Sequence, residues 1–186
     1  MLRFEHRARG ELQQDEGPCA APDFATAEVR RLNASHLADF QHLLTGLDQP
    51  SRCARFGWAA SDAALAAHAN NAIASARIIF GVFHDRQLRG ALEIYDGGAA
   101  GSAEVALIVA AAWRRRSFGW ALLQSAMHWA AEIDAGPMRL IFSRHNWPMR
   151  HLTAKAAATF DIVLDEIYAE ITTPRIPLRL ARRVPA

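Results

Sequence analysis

The stretch that most constrains the fold lies between residues 104 and 123, where the sequence reads EVALIVAAAWRRRSFGWALL. Its first residues are mostly apolar or β-branched, which predicts a strand. From Ser117 onward the apolar residues recur at helical spacing. A short loop with three consecutive arginines joins the two elements. A chain that folds this way brings the N-terminus of a helix to the end of a strand.

A helix N-terminus in this position is a natural seat for phosphate oxygens. Its first N–H groups lack intrahelical partners, and they lie at the positive end of the helix macrodipole. Arg114, Arg115 and Arg116 add positive charge, and Gly119 lets a ligand approach the backbone without meeting a Cβ. From these residues alone the alternative is a solvated basic helix start, with Gly119 as a packing residue.

The rest of the chain predicts a single α+β domain. Strands are predicted at 27–32, 78–83, 88–95, 104–109 and 138–142, with a closing strand or strand pair at 162–172. Helices are predicted after Asn33 and at 51–56, 61–74, 117–135 and 148–158. We expect a mixed, mostly antiparallel sheet of about six or seven strands with about four flanking helices. It should span residues 27–173, with an arm or tail at 1–26 and a basic tail or last strand at 174–186.

Composition excludes several classes of protein. Lys and Arg number 21 against 19 Asp and Glu, and this near balance argues against a general nucleic-acid or membrane binder. No apolar run approaches the roughly 20 residues that span a bilayer. Cys19 and Cys53 lack metal-ligand spacing, and His145 and His151 are not spaced as a helical metal pair, so we predict no metal and a reducing, cytoplasmic location.

The segment from 109 to 123 resembles motif A of the GCN5-related N-acetyltransferases (GNAT), whose pattern is Gln/Arg-x-x-Gly-x-Gly/Ala after a strand. Arg114 occupies the first position and Gly119 the last. Ser117 replaces the first glycine, and as a good N-cap residue it is expected to cap the helix.

A second segment is similar to motif B of the same family. It runs Asn146-Trp147-Pro148-Met149 and continues through Leu152 and Lys155, with Ala157 where the family has glycine. The upstream part is similar to the acetyltransferase domain of bacterial protein-lysine acetyltransferases, so the resemblance covers about residues 27–172.

The resemblance implies a binding site for acetyl-CoA. The backbone N–H groups of residues 116–121 would hold the pyrophosphate, backbone groups of Val109 and Ala111 would hold the pantetheine, and Trp120 would shape the mouth. The complete set of residues assigned to CoA is Val109, Ala111, Arg114, Arg115, Arg116, Ser117, Phe118, Gly119, Trp120, Ala121 and Asn146.

Acyl transfer to an amine needs a base, because the attacking amine must be neutral. Glu104 is the first candidate, since the related acetyltransferases have a comparable glutamate and a carboxylate on an apolar strand would be partly desolvated. Glu93 is the reserve. Thr153 stands where many family members have a tyrosine acid, so no acid is predicted. Tyr95 and Tyr168 are interpreted as sheet residues with hydrated hydroxyls.

We therefore predict an acyltransferase that moves an acetyl group from acetyl-CoA to a primary amine, on a protein lysine or a small molecule, by direct attack. One alternative is a non-catalytic acyl-CoA-binding regulatory module on the same fold. A less favoured one is a nucleic-acid-binding protein that uses the arginines at 114–116 and in the basic tail. A monomer or a homodimer is expected.

Overall fold

A computed structural model describes residues 27–97 and 101–172. The predicted arm at 1–26 and tail at 174–186 lie outside the described residues. The strands are β1 Ala27–Arg31, β2 Ile78–His84, β3 Gln87–Asp96, β4 Ala103–Val109, β5 Met138–Ser143, β6 Thr159–Val163 and β7 Glu166–Ile171. The helices are α1 Leu37–Thr45, α2 Gln49–Phe56, α3 Asp62–Ser75, α4 Phe118–Glu132 and α5 Trp147–Lys155.

The strands form one sheet in the order β1-β2-β3-β4-β5-β7-β6. All neighbours pair antiparallel except β4 and β5, which are parallel. The predicted fold class is confirmed: the described residues form a seven-stranded mixed sheet, with five helices rather than four. The closing segment is a strand pair, β6 and β7. No helix within 27–97 and 101–172 is long and apolar enough to cross a bilayer.

Two hydrophobic cores lie on opposite faces of the sheet. Because side chains alternate along a strand, Val105 and Val109 of β4 face α4, where they pack with Leu122 and Trp129. Ile108 of β4 points the other way. The second core also contains residues of α1, α3, β2 and β3, which are Phe40, Leu43, Leu44, Leu65, Ala69, Ile79, Phe83 and Ala91. The helices thus cover both faces of the central strands.

The parallel pairing of β4 and β5 is very short. It consists of Ala103 opposite Met138 and Glu104 opposite Arg139. Antiparallel pairing of β4 with β3, by contrast, runs the whole length of β4. The last residues of β4 therefore have a partner strand on one side only, and the sheet opens between β4 and β5.

Helix α2 is held at both ends by local signals. Asp48 caps its start by accepting a hydrogen bond from the Ser51 N–H at 2.8 Å. Gly57 ends it with φ +81°, a left-handed conformation that glycine adopts without steric cost. The helix lies against β4 and β5 at the opening in the sheet.

Candidate active site

A cleft of about 1050 Å³ occupies the opening between β4 and β5. Residues 104–109 of β4 and 140–143 of β5 form its two strand walls. The start of α4, one side of α2 and one side of α5 complete the lining. The cleft thus places a strand edge, a helix N-terminus and the Glu104 carboxylate around one space.

The backbone of β4 presents hydrogen-bonding groups to this cleft. Hydrogen-bonded and non-hydrogen-bonded pairs alternate along an antiparallel ladder, and the Ala110 N–H donates to the Arg89 carbonyl across from it at 2.9 Å. Leu107 and Val109 therefore direct their N–H and C=O groups away from β3 and toward the opening. An extended ligand with amide groups can add here as a strand would.

The N-terminus of α4 faces the same cleft. Phe118, Gly119 and Trp120 are its first three residues, and all three line the cleft. Their N–H groups precede the first intrahelical bond, in which Ala121 donates to the Ser117 carbonyl at 3.0 Å. The N–H of Ala121 is therefore already used within the helix, and its prediction as a phosphate donor is wrong.

Gly119 leaves space at this helix start. A Cβ placed there would meet the Leu152 side chain at 3.6 Å and the Leu107 side chain at 3.7 Å, which is ordinary contact. The protein itself therefore tolerates a small side chain at position 119. A larger side chain would have to extend into the cleft.

Two positions where motif glycines are replaced keep the backbone that glycine favours. Ser117 has φ +59° and Ala157 has φ +55°. Ala157 ends α5 in a Schellman motif. The Ala157 N–H donates to the Ala154 carbonyl, and the Ala158 N–H donates to the Thr153 carbonyl. The Ser117 side chain makes no capping hydrogen bond, so the expected cap is absent. A left-handed conformation costs a non-glycine residue about 1–2 kcal/mol, so each site stores strain.

We expect Ser117→Gly and Ala157→Gly each to raise the free energy of unfolding by about 0.5–1 kcal/mol. The relief of left-handed strain exceeds the extra chain entropy of glycine. Urea denaturation of the single variants measures the effect. Ser125→Gly and Ala154→Gly make the same changes within the right-handed part of α4 and α5 and should lower the free energy of unfolding by a similar amount. Destabilisation at position 117 or 157 would contradict the strain.

The three arginines of the loop differ in what they contact. Arg114 donates from Nε to the Val109 carbonyl at 3.2 Å and from Nη2 to the Ser51 hydroxyl at 2.5 Å. The Arg116 guanidinium lies over the Trp113 ring, 4.8 Å from its centre. Arg115 lines the cleft, as does Arg114. The side chain of Arg114 thus contacts α2.

The remaining predicted cofactor residues fall into two groups. Asn146 and Trp120 line the cleft; the Asn146 side chain caps α5, and the Lys155 ammonium lies 4.3 Å from the centre of the Trp120 ring. Ala111 and Arg116 are not among the residues that line the cleft in the described part of the chain. Ala111 is exposed and begins a short 3-10 helix, Ala111–Trp113.

Glu104 lines the cleft at the closed end of the opening, where β4 and β5 still pair. It lies opposite Tyr95 on β3 and shares its face of the sheet with Ala106 and Ile108. Its side chain is exposed, so burial does not desolvate this carboxylate as the sequence had suggested. Access for an incoming amine is open.

The structure contradicts Glu93 as a reserve base. Its side chain is buried, and its two oxygens accept hydrogen bonds from Arg55 at 2.6 Å, His68 at 2.7 Å and Tyr95 at 2.6 Å. Burial alone would raise the pKa of Glu93, but these partners outweigh it and lower the pKa to about 2. A carboxylate held ionised in this way is a structural group and not a proton acceptor.

Two hydroxyls near the site are also engaged. Burial and the Glu93 charge raise the pKa of Tyr95 well above its usual range, and its hydroxyl donates to Glu93, so the hydrated hydroxyl predicted for Tyr95 is wrong. Thr153, at the family tyrosine position, is buried and donates to the Met149 carbonyl at 2.8 Å. Neither residue is placed to protonate a leaving group.

From the sequence, the variable segment from about Ser51 to Ser75 is the expected wall of an acceptor pocket, with no single residue assigned; two of its residues, Ser51 and Arg55, lie at the cleft. Both lie on α2 and line the cleft. Ser51 is buried and contacts Arg114 across 63 positions of sequence, and Arg55 contacts Glu93 across 38. The one available signal was the arginine and serine content of α2, and it does not reveal which distant residues they meet.

Comparison with known proteins identifies the architecture. The profile of the Acetyltransferase (GNAT) family matches residues 44–157, which contain the cleft, α4 and α5. The chain belongs to the GNAT acetyltransferase family. It is an N-acetyltransferase by family, and acetyl-CoA is the acyl donor of that family. No curated protein matches the chain significantly.

Solved structures share the GNAT fold. The GNAT domain of S. lividans PAT has a TM-score of 0.68 and 16% identity over 78% of this chain and 90% of that one. Spermidine N-acetyltransferase from Vibrio cholerae, in complex with CoA and spermine, has a TM-score of 0.66 and 18% identity over 81% of this chain and 98% of that one. PaiA N-acetyltransferase from Thermoplasma acidophilum, in complex with coenzyme A, has a TM-score of 0.63 and 17% identity over 79% of this chain and 99% of that one.

Proposed function

We propose that this GNAT protein transfers an acetyl group from acetyl-CoA directly to a primary amine, with Glu104 accepting the proton of the attacking amine. The observation that carries the proposal is that one cleft joins the open backbone edge of β4, the N-terminus of α4 and the Glu104 carboxylate. These are the groups needed to bind an acyl thioester and to neutralise an amine beside it.

The binding part of the proposal uses mainly backbone groups. The backbone of Leu107 and the N–H of Val109 would pair with the amide groups of pantetheine, since the Val109 carbonyl already accepts from Arg114, and the N–H groups of Phe118, Gly119 and Trp120 would bind the pyrophosphate. Arg115 adds positive charge at the same wall. Such binding depends on the backbone, and Ser117 keeps the left-handed conformation of the glycine that it replaces.

The chemical part is a direct exchange of acyl acceptor. The amine nitrogen forms a bond to the acetyl carbon as the carbon–sulfur bond breaks, the amine proton passes to Glu104, and CoA leaves as the thiolate. No side-chain acid is assigned to the thiolate.

The acceptor is a primary amine on a protein lysine or on a small molecule. Spermidine N-acetyltransferase, which is similar in fold, was solved with CoA and spermine, but likeness in fold alone does not choose between these classes for the present chain. The cytoplasmic location and the monomeric or dimeric state expected from the sequence stay predictions.

We expect Glu104→Gln to lower kcat/KM for amine acetylation by about 10²–10⁴-fold while the Kd for acetyl-CoA stays unchanged. Its rate should recover as the pH rises and the free amine loses its proton in solution. The assay is a pH series of acetyl transfer to three amines: spermine, Nα-acetyl-lysine methylamide, whose side-chain amine is free, and a lysine-containing nonapeptide. Glu132→Gln, an exposed glutamate at the end of α4, is the matched control.

Two results would overturn parts of this proposal. Full activity of Glu104→Gln would remove the base assignment. Acetyl-CoA binding by wild type without transfer to any amine would favour the non-catalytic acyl-CoA-binding module.

A further inference from the structure

The arginine that begins motif A is tied to the opposite wall of the cleft. Arg114 donates to the Ser51 hydroxyl on α2 and to the Val109 carbonyl at the end of β4. Ser51 is 4% exposed and also donates its N–H and hydroxyl to Asp48, the cap of α2. One guanidinium thus joins the loop before α4, the last residue of β4 and the first turn of α2.

Helix α2 is anchored at its other end as well. In its last turn Arg55 forms an ion pair with buried Glu93 of β3 at 2.6 Å. Ala54 and Arg55 line the cleft between the two anchors. Because α2 lies on the same face of the sheet as Glu104, its position sets the space beside the proposed base.

The electrostatics of Arg114 fit this linking role. Its contacts are a neutral hydroxyl and a carbonyl. The pKa of Asp48 is lowered mainly by the hydrogen bonds from Ser51, and the nearby charge of Arg114 lowers it further. The guanidinium therefore already has acceptors within the protein. Arg115, its neighbour in the same loop, also lines the cleft.

We propose that Arg114 is a positioning residue that couples the acetyl-CoA loop to the acceptor-side helix α2 through Ser51, rather than a ligand of the CoA phosphates. A ligand that binds the loop between β4 and α4 and holds it in place also holds α2 in place through this link. Donor binding thereby prepares the acceptor site, and the two substrates bind with positive coupling. The inference rests on the proposed amine acetylation.

Comparing Arg114 with Arg115 separates positioning from phosphate binding, because Arg114→Gln and Arg115→Gln remove the same charge from the same loop. We expect Arg114→Gln to raise the acceptor KM about tenfold and to change the Kd for acetyl-CoA less than twofold. Arg115→Gln should do the reverse, raising the Kd severalfold and leaving the acceptor KM unchanged. Calorimetry with acetyl-CoA and kinetics with the best of the three amines named above give both quantities.

Ser51 supplies the second arm of the test. Ser51→Ala removes the link without altering charge and should raise the acceptor KM as Arg114→Gln does, and the double variant should be no worse than either single variant. Ser51→Thr keeps the hydroxyl and should restore the wild-type KM. Thermal unfolding verifies that each variant is folded, and Arg114→Lys replaces Arg114→Gln should the latter fail to fold.

The outcomes are distinct. Equal losses of acetyl-CoA affinity in Arg114→Gln and Arg115→Gln, or additive effects of the Ser51 and Arg114 substitutions, would overturn the inference. Failure of the wild type to acetylate any amine would instead contradict the proposed function, while the calorimetric comparison of Arg114 with Arg115 would still decide whether Arg114 contacts phosphate.

Discussion

Replacing Gly119 with glutamate is expected to raise the Kd for acetyl-CoA at least about 100-fold, which corresponds to roughly 2.7 kcal/mol of binding free energy. The new side chain must extend into the cleft, because the position is enclosed by Leu152 and Leu107 on its protein side. Its carboxylate would lie where the N–H groups of α4 converge and would repel the pyrophosphate.

The fold should survive this substitution. Gly119 is the second residue of α4, and a carboxylate in the first turn stabilises a helix through the macrodipole. Loss of binding in a protein of unchanged or higher unfolding temperature would therefore locate the phosphate site. Isothermal titration calorimetry with acetyl-CoA and with CoA measures the affinity, and circular dichroism follows the fold.

Two matched variants separate charge from size. Gly119→Gln has the shape of glutamate without its charge and should lose less affinity, and Gly119→Ala adds only a methyl group at ordinary contact distance and should bind as wild type does. If Gly119→Glu bound acetyl-CoA as tightly as wild type, the N-terminus of α4 would not be the phosphate site, and the donor-binding half of the proposal would have to be abandoned.

Replacing Glu93 with glutamine is expected to destabilise the fold by about 3 kcal/mol at pH 7. The lowering of the Glu93 pKa from 4.5 to about 2 corresponds to about this free energy at 1.36 kcal/mol per unit. Glutamine would leave the Arg55 charge without its counterion, and a buried pair broken on one side is costly. Chemical denaturation at pH 7 measures the loss.

The pH dependence tests its origin. A carboxylate whose pKa is lower in the folded state contributes its full stabilisation above pH 4.5, and the contribution fades as pH falls toward about 2. The difference between wild type and Glu93→Gln should therefore shrink over that range. Glu28→Gln, at an exposed pair with Arg30, should change stability little at any pH. A constant difference down to low pH would show that packing, and not charge, is responsible.

The sequence predicted the order of elements well, for a physical reason. Strand and helix periodicity are local properties, so each strand of the meander and the helix after Ser117 could be read from neighbouring residues. CoA binding through backbone groups also leaves a local trace, since it requires a strand end and a helix start at a fixed spacing. That trace survived at Ser117 because the left-handed backbone was kept without the glycine.

The acceptor side was not predictable in the same way. The contacts of Ser51 and Arg55 reach across 63 and 38 positions, and only the packing of α2 against the sheet creates them. Alternation correctly placed Glu104 on the face opposite Val105, but it could not show that the Glu104 side chain, near the start of β4, is exposed. Glu93 lies on the same face one strand away, but it is covered by α2 and α3 and is therefore buried, whereas Glu104 is exposed.

Among the described residues, only two residue pairs join β4 to β5, so the sheet consists of two ribbons of strands with weak backbone pairing between them. One ribbon is β1 to β4 and the other is β5, β7 and β6, each with continuous antiparallel pairing. A substrate that lies between them bridges the two ribbons and occupies amides that otherwise face the cleft. In the proposed complex, acetyl-CoA is part of the cooperative unit that resists local opening, and the two ribbons are held together more firmly while it is bound.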